Sequence, residues 1–357
     1  MAAIYVKEQG ALVSKKGERI AISRSGQVLL ETPVIKIDNL AVIGNVQITA
    51  QALYMLIENG VDISYFSRGG RYLGHTSADA SKNIFLRFEQ YRCYLDPERS
   101  LHIARTIIFN KIDNQIFLLE QRMNTDHTFN AQDEIGKLAQ HRETLASART
   151  TGEIMGIEGI CSNLYFKAYG RMFKGEMTFS GRTRRPPKDP VNVILSLAYT
   201  FLTKEVCQVL DSESFETYLG FVHGIRYGRK SLALDIVEEF RQPAIDRLVL
   251  LLFNKGMIGS YDFDFPEDGS VILNEDGFQK FCREYERWMT GRNSLAGDRN
   301  FRGSLRKQAG LLKKAMTQGQ EYTPYCFRKE YQGRAVWPAG TDTPEQDDAA
   351  GDETRDE

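Results

Sequence analysis

Residues 221–243, FVHGIRYGRKSLALDIVEEFRQP, place a histidine ahead of a helical pattern that carries three carboxylates. Asp235, Glu238 and Glu239 are spaced i, i+3 and i+4, which predicts that they share one helix face. His223 precedes this face, and a turn could bring its imidazole over the carboxylates. Imidazole and carboxylate ligands together suit a divalent cation such as Mg²⁺ or Mn²⁺. Three acids on one face are equally typical of a solvated helix surface, and their spacing alone leaves both interpretations open.

The other face of this helix is apolar, which predicts that it packs in a helical core; it consists of Ala233, Ile236, Val237 and Phe240. From about residue 82 onward, apolar residues recur at helical spacing. Residues before 78 form short β-branched runs between turn signals such as Lys16-Gly17 and Ser25-Gly26. The sequence therefore predicts an α+β fold, with a β-rich N-terminal domain (1–78), a larger all-helical domain (82–335) and an acidic, disordered tail (336–357).

Composition narrows the class of protein. The five cysteines are scattered and never form a CxxC pair, which argues for a reducing cytoplasm and against a zinc finger. No apolar run is long enough for a membrane span, and Lys7 and Glu8 interrupt any signal sequence. Because the total charge is −1 and residues 341–357 carry −7, the rest of the chain carries +6. A basic body predicts an acidic partner.

Glu158 interrupts an apolar stripe on a predicted helix over Glu153–Phe173. A carboxylate on a packed face is costly unless it meets a cation or a metal. Gly156 and Gly159 flank it and predict close approach of another backbone or a ligand, because glycine within a helix is unfavourable. The alternative is a buried ion pair with an arginine.

A loop at residues 178–190, TFSGRTRRPPKDP, combines prolines with four cations, namely Arg182, Arg184, Arg185 and Lys188. Arginines on a stiff loop suit bidentate contacts with phosphate. Further basic runs occur around Arg226 and from Arg292 to Lys314. Such runs are usually solvated surface, but several of them around a candidate metal site indicate nucleic acid as the partner.

Several blocks together resemble the CRISPR-associated endonuclease that integrates new spacers into the repeat array. They are GIEG (156–159) with the downstream LYF, FSGRTRRPPKDPVNVILSLAYTFL (179–202) and residues 220–243. Their order also fits, and the resemblance covers roughly residues 1–330. It implies a β-rich N-terminal domain followed by an all-helical catalytic domain.

The resemblance also implies roles for individual residues. Glu158, His223 and Glu238 would be the metal ligands, for Mg²⁺ or Mn²⁺, and Asp235 would join them as a catalytic residue. Glu239 is expected to pair with a nearby arginine. The residues expected to contact nucleic acid are Tyr165, Arg182, Arg184, Arg185, Lys188 and Arg226.

The expected activity is phosphoryl transfer on DNA, in which a 3′-hydroxyl of a donor spacer duplex attacks a phosphodiester of the CRISPR repeat. A generic metal-dependent nuclease and a non-catalytic DNA-binding scaffold are the alternatives. The resemblance further implies a homodimer formed through the N-terminal domain. A small partner protein of the same adaptation module would bridge two such dimers.

Overall fold

The computed structural model describes residues 2–76, 83–174, 179–183, 187–291 and 300–330. The acidic tail lies outside these ranges, and so do residues 77–80 of the joint that the sequence predicts between the two domains, from Gly69-Gly70 to Ala80. The N-terminal strands are Ala2–Val6 (β1), Ala11–Lys16 (β2), Arg19–Arg24 (β3), Gln27–Pro33 (β4), Ile37–Ile43 (β5), Val46–Ile48 (β6), Asp62–Phe66 (β7) and Tyr72–Thr76 (β8). They form two four-stranded sheets with the orders β1-β5-β7-β8 and β4-β3-β2-β6.

Turn chemistry explains the local pairing of these strands. Antiparallel β2 and β3 meet at Gly17, whose φ of 59° suits glycine, and β3 and β4 meet at Ser25-Gly26. In contrast, β1–β5, β5–β7 and β2–β6 are parallel pairs. One helix, Ala50–Glu58 (α1), lies between β6 and β7 and is capped by the side chain of Thr49, as its periodicity predicts.

The rest of the described chain is mainly helical, so the α+β class is confirmed. The helices are Ile84–Leu95 (α2), Pro97–Thr125 (α3), Gln132–Thr144 (α4), Thr151–Gly170 (α5), Pro190–Ser212 (α6), Ser231–Phe240 (α7), Arg247–Asn254 (α8), Glu275–Thr290 (α9), Phe301–Gln318 (α10) and Phe327–Glu330 (α11). A short hairpin, Phe263–Asp264 (β9) and Ile272–Leu273 (β10), precedes α9, so the expectation that residues 82–335 are all-helical is wrong in this segment.

Side-chain caps set several helix starts. Asp96 ends α2 and caps α3 through the N–H groups of Glu98 and Arg99, with Pro97 at the first turn. Asp189 caps α6 in the same way, again followed by proline. These short polar residues divide the helical region into separate elements.

Helix α7 runs at the centre of the helical part. It continues through a π-helical turn, Arg241–Asp246, into α8, and the turn contains Pro243. Both α3 and α6 pack against α7, and α3 also packs against α5. Nearly every residue of α7, its acids included, is buried. The site residues of α7 therefore lie between neighbouring helices and not on a surface.

The first sheet connects the β-rich part to the helices. Phe66 on β7 stacks on Phe201 of α6, with ring centroids 5.0 Å apart, and Tyr5 on β1 stacks on the same ring at 6.2 Å. A second apolar cluster, which includes Val13, Leu40 and Ile63, lies within the β-rich part itself. The two parts thus have distinct cores that meet at this sheet.

Among the described residues, Pro190–Ser212 (α6) is the one helix long and apolar enough to cross a membrane by length and composition. Core helices satisfy the same criterion, and α6 packs against α7, the π-helical turn and α10. The apolar residues of α6 are thus accounted for by core packing.

Candidate active site

Glu158 and Glu238 reach the same cation from different helices. Glu158 lies on α5 and Glu238 on α7, and the ammonium group of Lys111 on α3 lies between them. Lys111 Nζ is 2.6 Å from Glu238 Oε2, and it also bonds to Glu158 Oε1. Ser162 donates its hydroxyl to the same Glu158 oxygen at 2.7 Å. The structure therefore brings two of the predicted ligands together. The alternative for Glu158, a buried ion pair, also occurs, but with a lysine and not an arginine.

Two cations hold Glu238 in its ionised form. Arg241 donates to Oε1 at 2.9 Å, while Lys111 occupies Oε2. Burial raises the pKa of Glu238, but the positive charges of Arg241 and Lys111 outweigh burial and lower that pKa to about 2. Burial likewise raises the pKa of Glu158, and Lys111 outweighs it, so the net shift is downward. Both carboxylates are thus negative at neutral pH.

The backbone of residues 221–223 wraps around the carboxylate of Asp235. The N–H groups of Phe221 and Val222 donate to Oδ2 at 2.5 and 3.0 Å, and that of His223 donates to Oδ1 at 2.9 Å. The His223 ring atom Nδ1 also lies 2.8 Å from Oδ1. Asp235 is completely buried. The prediction that Asp235 is itself catalytic is therefore corrected: it positions His223 and does not face a substrate.

Gly220 allows the backbone of residues 221–223 to surround the Asp235 carboxylate, because its position has no room for a side chain. The two glycines beside Glu158, Gly156 and Gly159, are not crowded in this way. A Cβ at Gly220 would lie 2.7 Å from Asp235 Oδ2 and 2.7 Å from the backbone carbon of Ser231, so a larger residue would displace the loop. Around Gly156 and Gly159, by contrast, no described residue lies within 4 Å of a Cβ placed at either position, apart from the chain neighbours and the backbone of α5 itself. Within the described residues, the expected approach of another backbone to these two glycines is therefore wrong.

Glu158, Glu238 and His223 are residue types that bind divalent cations, but the three side chains are not gathered at one position. Within the described ranges, no group of three His, Cys, Asp or Glu side chains lies close enough together to hold a metal ion. Glu158 and Glu238 nevertheless share one cation position, which the ammonium of Lys111 occupies. With His223 Nδ1 on Asp235, the ring presents Nε2 as a ligand atom, an arrangement common at metal sites.

Glu239 binds a C-terminal segment, residues 320–327, and not an arginine. Tyr322 donates its hydroxyl to Oε1 at 2.5 Å, and the N–H of Tyr325 donates to Oε2 at 2.8 Å. The expected arginine pair is wrong. The solvated-surface alternative is also wrong, because Asp235 and Glu239 are completely buried. Each of the three acids on α7 thus serves a different neighbour.

Replacing Glu239 by glutamine is expected to flatten the pH dependence of stability. Burial raises the pKa of Glu239 from 4.5 to about 8, so the neutral carboxyl stabilises the fold fully below pH 4.5 and this contribution is lost as pH rises towards 8. A glutamine can accept from the N–H of Tyr325 and donate to the hydroxyl of Tyr322, and it cannot ionise. As pH rises from 5 to 8, we expect the free energy of unfolding of the natural chain to fall by at least about 1 kcal/mol more than that of the variant.

Urea unfolding at the two pH values measures this difference in the metal-free protein. Glu143→Gln, at a carboxylate that is 68% exposed, is the matched control and should not change the pH profile. A Glu239→Gln profile parallel to that of the natural chain would contradict the prediction.

Tyr165 lies in the core of the helical part. It is completely buried, and its hydroxyl donates to Asp246 Oδ2 at 2.8 Å. Tyr199 bonds to the other oxygen of the same carboxylate. The prediction that Tyr165 contacts nucleic acid is therefore wrong, because its ring and its hydroxyl are both used inside the fold.

Arg182 anchors its loop to α6. Its guanidinium donates to Asn192 Oδ1 at 2.7 Å and to Ser196 Oγ at 3.0 Å, and it lies over the ring of Tyr199 at 5.5 Å. These contacts direct Arg182 towards the protein, which argues against the predicted phosphate contact and assigns it an ordering role.

The other predicted phosphate contacts divide into two groups. Arg184 and Arg185 lie outside the described residues, whereas Lys188 and Arg226 have exposed side chains. In the C-terminal basic run, Arg302 is a structural residue, because it pairs with Glu205 at 2.9 Å and with Glu286 at 2.7 Å. Lys188 and Arg226 thus remain available to contact a phosphate backbone.

The sequence contains a signal for Lys111 that our sequence analysis missed. Lys111 follows the apolar run Ile107-Ile108-Phe109 and precedes Ile112, Ile116 and Phe117 on one helix. A cation inside an apolar helix indicates a buried partner by the same reasoning that applied to Glu158. Pairing the two anomalous charges would have predicted this ion pair.

Fold and site together define an α+β protein whose helical part carries two acids at one cation position and a histidine anchored on a third acid. The model of the family described as CRISPR associated protein Cas1 matches residues 4–287. A relative from Thermus thermophilus, CRISPR-associated endonuclease Cas1 3, is 34% identical over 331 residues, which cover 91% of this chain and 97% of the relative. The chain belongs to the Cas1 family, and the resemblance noted in its sequence is confirmed.

Solved structures share the fold. A casposase bound to an integration product superposes with a TM-score of 0.82 at 22% identity, covering 93% of this chain and 95% of the casposase chain. A chain of a Cas6-RT-Cas1–Cas2 complex gives a TM-score of 0.75 at 25% identity, covering 89% of this chain and 35% of the other. The arrangement of strands and helices described above is therefore that of known proteins.

Proposed function

We propose that this chain is a metal-dependent DNA endonuclease and integrase. It inserts spacer DNA into a CRISPR repeat array by attack of a donor 3′-hydroxyl on a target phosphodiester. The observation that carries the proposal is the meeting of Glu158 and Glu238 at one cation position in a domain that also anchors His223 on Asp235. The endonuclease name of the Thermus relative and the integration product bound to the casposase support it.

Glu158, Glu238 and His223 would hold the metal, Mg²⁺ or Mn²⁺. When bound, such an ion polarises a phosphate oxygen and lowers the pKa of an attacking hydroxyl. Two carboxylates and one imidazole leave coordination positions for water and phosphate. Asp235 holds the imidazole in one orientation, and Arg241 keeps Glu238 ionised and fixed.

Cationic side chains would bind the DNA backbone. Lys188 and Arg226 are exposed and lie on the segments that the sequence analysis assigned to phosphate. Contacts to phosphate position the duplex without reading its sequence. The same cations can therefore hold either the donor duplex or the repeat.

Charge reversal at both Lys188 and Arg226 is expected to weaken binding to every DNA sequence alike. Each lost phosphate contact should reduce the log–log salt slope by about 0.9, so the double variant should lose about 2. Fluorescence anisotropy with a labelled duplex from 50 to 300 mM salt measures the slope. Lys15→Glu, an exposed change on β2, is the control. An unchanged slope would show that the two side chains are only solvated surface.

The proposed assembly is a cytoplasmic homodimer formed through the N-terminal sheets. The edge strand β4 leaves Val28, Leu29 and Leu30 exposed, which suits pairing with a second chain. The Cas1–Cas2 complex found among the structural neighbours supports a small partner protein that bridges two dimers.

A 3′-dideoxy donor tests the proposed function. With the partner protein, Mn²⁺ and a repeat-containing plasmid, a labelled donor should become covalently joined to the plasmid. A donor that lacks only its 3′-hydroxyl should not be joined, while nicking of the plasmid by water can continue. If the plasmid is nicked rapidly but the normal donor is never joined to it, the protein is a generic nuclease and not an integrase. Absence of both reactions, with DNA still bound, would leave a non-catalytic scaffold.

A further inference from the structure

Lys111 occupies the centre of the site and has no part in the function proposed above. Its side chain is only 2% exposed, and its ammonium bonds to Glu158 Oε1 and lies 2.6 Å from Glu238 Oε2. A buried lysine is rare unless it is paired, and here it is paired with two carboxylates at once. These two oxygens face one another across the ammonium, so they are the oxygens that one bound cation would share.

The charges around Lys111 make it the counter-cation of the site. Burial and the negative charge of Glu238 both raise the pKa of Glu158, and the ammonium of Lys111 between the two carboxylates outweighs them, so the net shift is downward. Arg241 neutralises Glu238 from the side of Oε1, at 2.9 Å, and leaves Oε2 to Lys111. Without Lys111, two like charges would face each other in a mostly buried space with one cation remaining.

The surroundings also allow the ammonium to move. Lysine carries its charge on a flexible four-carbon chain, whereas the guanidinium of Arg241 is a planar and rigid group. Glu158 is 26% exposed, so one side of the ion pair opens to solvent. At the neighbouring Gly156 and Gly159, no other described part of the chain comes within 4 Å of where a Cβ would lie. A cation can therefore approach from the α5 side while Arg241 keeps Glu238 in place.

We propose that Lys111 is a positioning residue that holds Glu158 and Glu238 together when no metal is bound, and that a divalent cation binds by displacing its ammonium group. The proposal rests on the metal site of the proposed function and adds a competitor that belongs to the chain itself. It accounts for a buried lysine that bridges two metal-type carboxylates at one cation position. Lys111 thereby lowers the affinity for metal and stabilises the metal-free site.

Replacing Lys111 by methionine tests the competition in the full chain. Methionine keeps the apolar length of the side chain and removes the charge. We expect the Kd for Mn²⁺, measured by electron paramagnetic resonance of the free ion, to fall about tenfold or more, since a competing unit charge has been removed. The Tm without metal should fall, and the rise in Tm on adding Mn²⁺ should exceed that of the natural chain.

Lys204→Met is the matched control, because Lys204 is also a buried lysine but bonds to Asn39 at 3.2 Å, away from the site. It should leave the Kd for Mn²⁺ unchanged. Lys111→Gln, which keeps a donor group without the charge, replaces the methionine variant if that variant fails to fold. If Lys111 had only a structural role, its loss would weaken Mn²⁺ binding. Competition predicts tighter binding, so the direction of the change in Kd separates the two roles.

Glu158→Gln separates failure of this proposal from failure of the metal site. If the natural chain binds Mn²⁺ and Glu158→Gln leaves the Kd unchanged, the metal site itself is overturned. The competition with Lys111 is then overturned as well. If Glu158→Gln abolishes binding while both Lys111 variants bind Mn²⁺ no more tightly than the natural chain, the metal site stands and the role of Lys111 is overturned.

Discussion

Glu158→Ala is expected to lower the rate of Mn²⁺-dependent DNA cleavage by about 10³-fold or more, which corresponds to about 4 kcal/mol of transition-state stabilisation. Glu158 supplies one of the two carboxylates that share a cation position, and the change removes it outright. Lys111 and Arg241 would still neutralise Glu238, so no buried carboxylate is left unpaired. We therefore expect the fold to persist and activity to be lost.

DNA affinity should change little in this variant, because loss of an acid removes no phosphate contact. Cleavage of a labelled duplex and its binding by anisotropy measure the two properties separately. Glu153→Ala is the control on the same helix, since Glu153 is exposed in the first turn of α5. Cleavage by Glu158→Ala at the rate of the control would refute the assignment of Glu158 to the metal site.

Asp235→Ala is expected to have the second large effect, on stability as well as on activity. The carboxylate accepts hydrogen bonds from three consecutive N–H groups at residues 221–223 and anchors the His223 ring, all at 3.0 Å or less. Losing this acceptor leaves buried donors unsatisfied, and each costs about 1–3 kcal/mol. We expect the free energy of unfolding to fall by about 3–5 kcal/mol, as for other buried charged partners.

Cleavage should fall by at least about 10–100-fold even where the variant is folded, because His223 loses the partner that orients it. Asp235→Asn separates the two effects, since it preserves the volume and one acceptor oxygen. Asp211→Asn is the control, because its pair with Lys230 at 3.1 Å is about a quarter exposed. An Asp235→Ala protein as stable as this control would show that the wrap of residues 221–223 depends on other contacts.

Local rules predicted much of the fold. Strands end at the turn signals Lys16-Gly17 and Ser25-Gly26, and α7 forms where the apolar periodicity predicts a helix. The strand Tyr72–Thr76 was missed, because the Gly69-Gly70 pair indicated a joint between domains and not the turn of a hairpin. The parallel pairing of β1 with β5 was also beyond prediction, since it joins segments distant in sequence.

The site was predicted less completely than the fold. Spacing placed the three acids of α7 on one face, and the family resemblance joined Glu158 and His223 to them. Neither could show that Asp235, Glu238 and Glu239 would each take a different partner. Tyr165 was misassigned because the resemblance implied a nucleic-acid contact, whereas the structure buries its ring in the core.

The sequence by itself determined the secondary structure of most elements, the α+β class, the Cas1 family and the set of chemically competent residues. These follow from short-range periodicity, capping groups and motif content, which are properties of neighbouring residues. Only the tertiary structure decided that α7 is buried with its acids, that Asp235 anchors the histidine loop, and that Lys111 from α3 lies between Glu158 and Glu238. The physical reason is that the partner of a buried charge is set by helix packing, which brings together residues from separate parts of the chain.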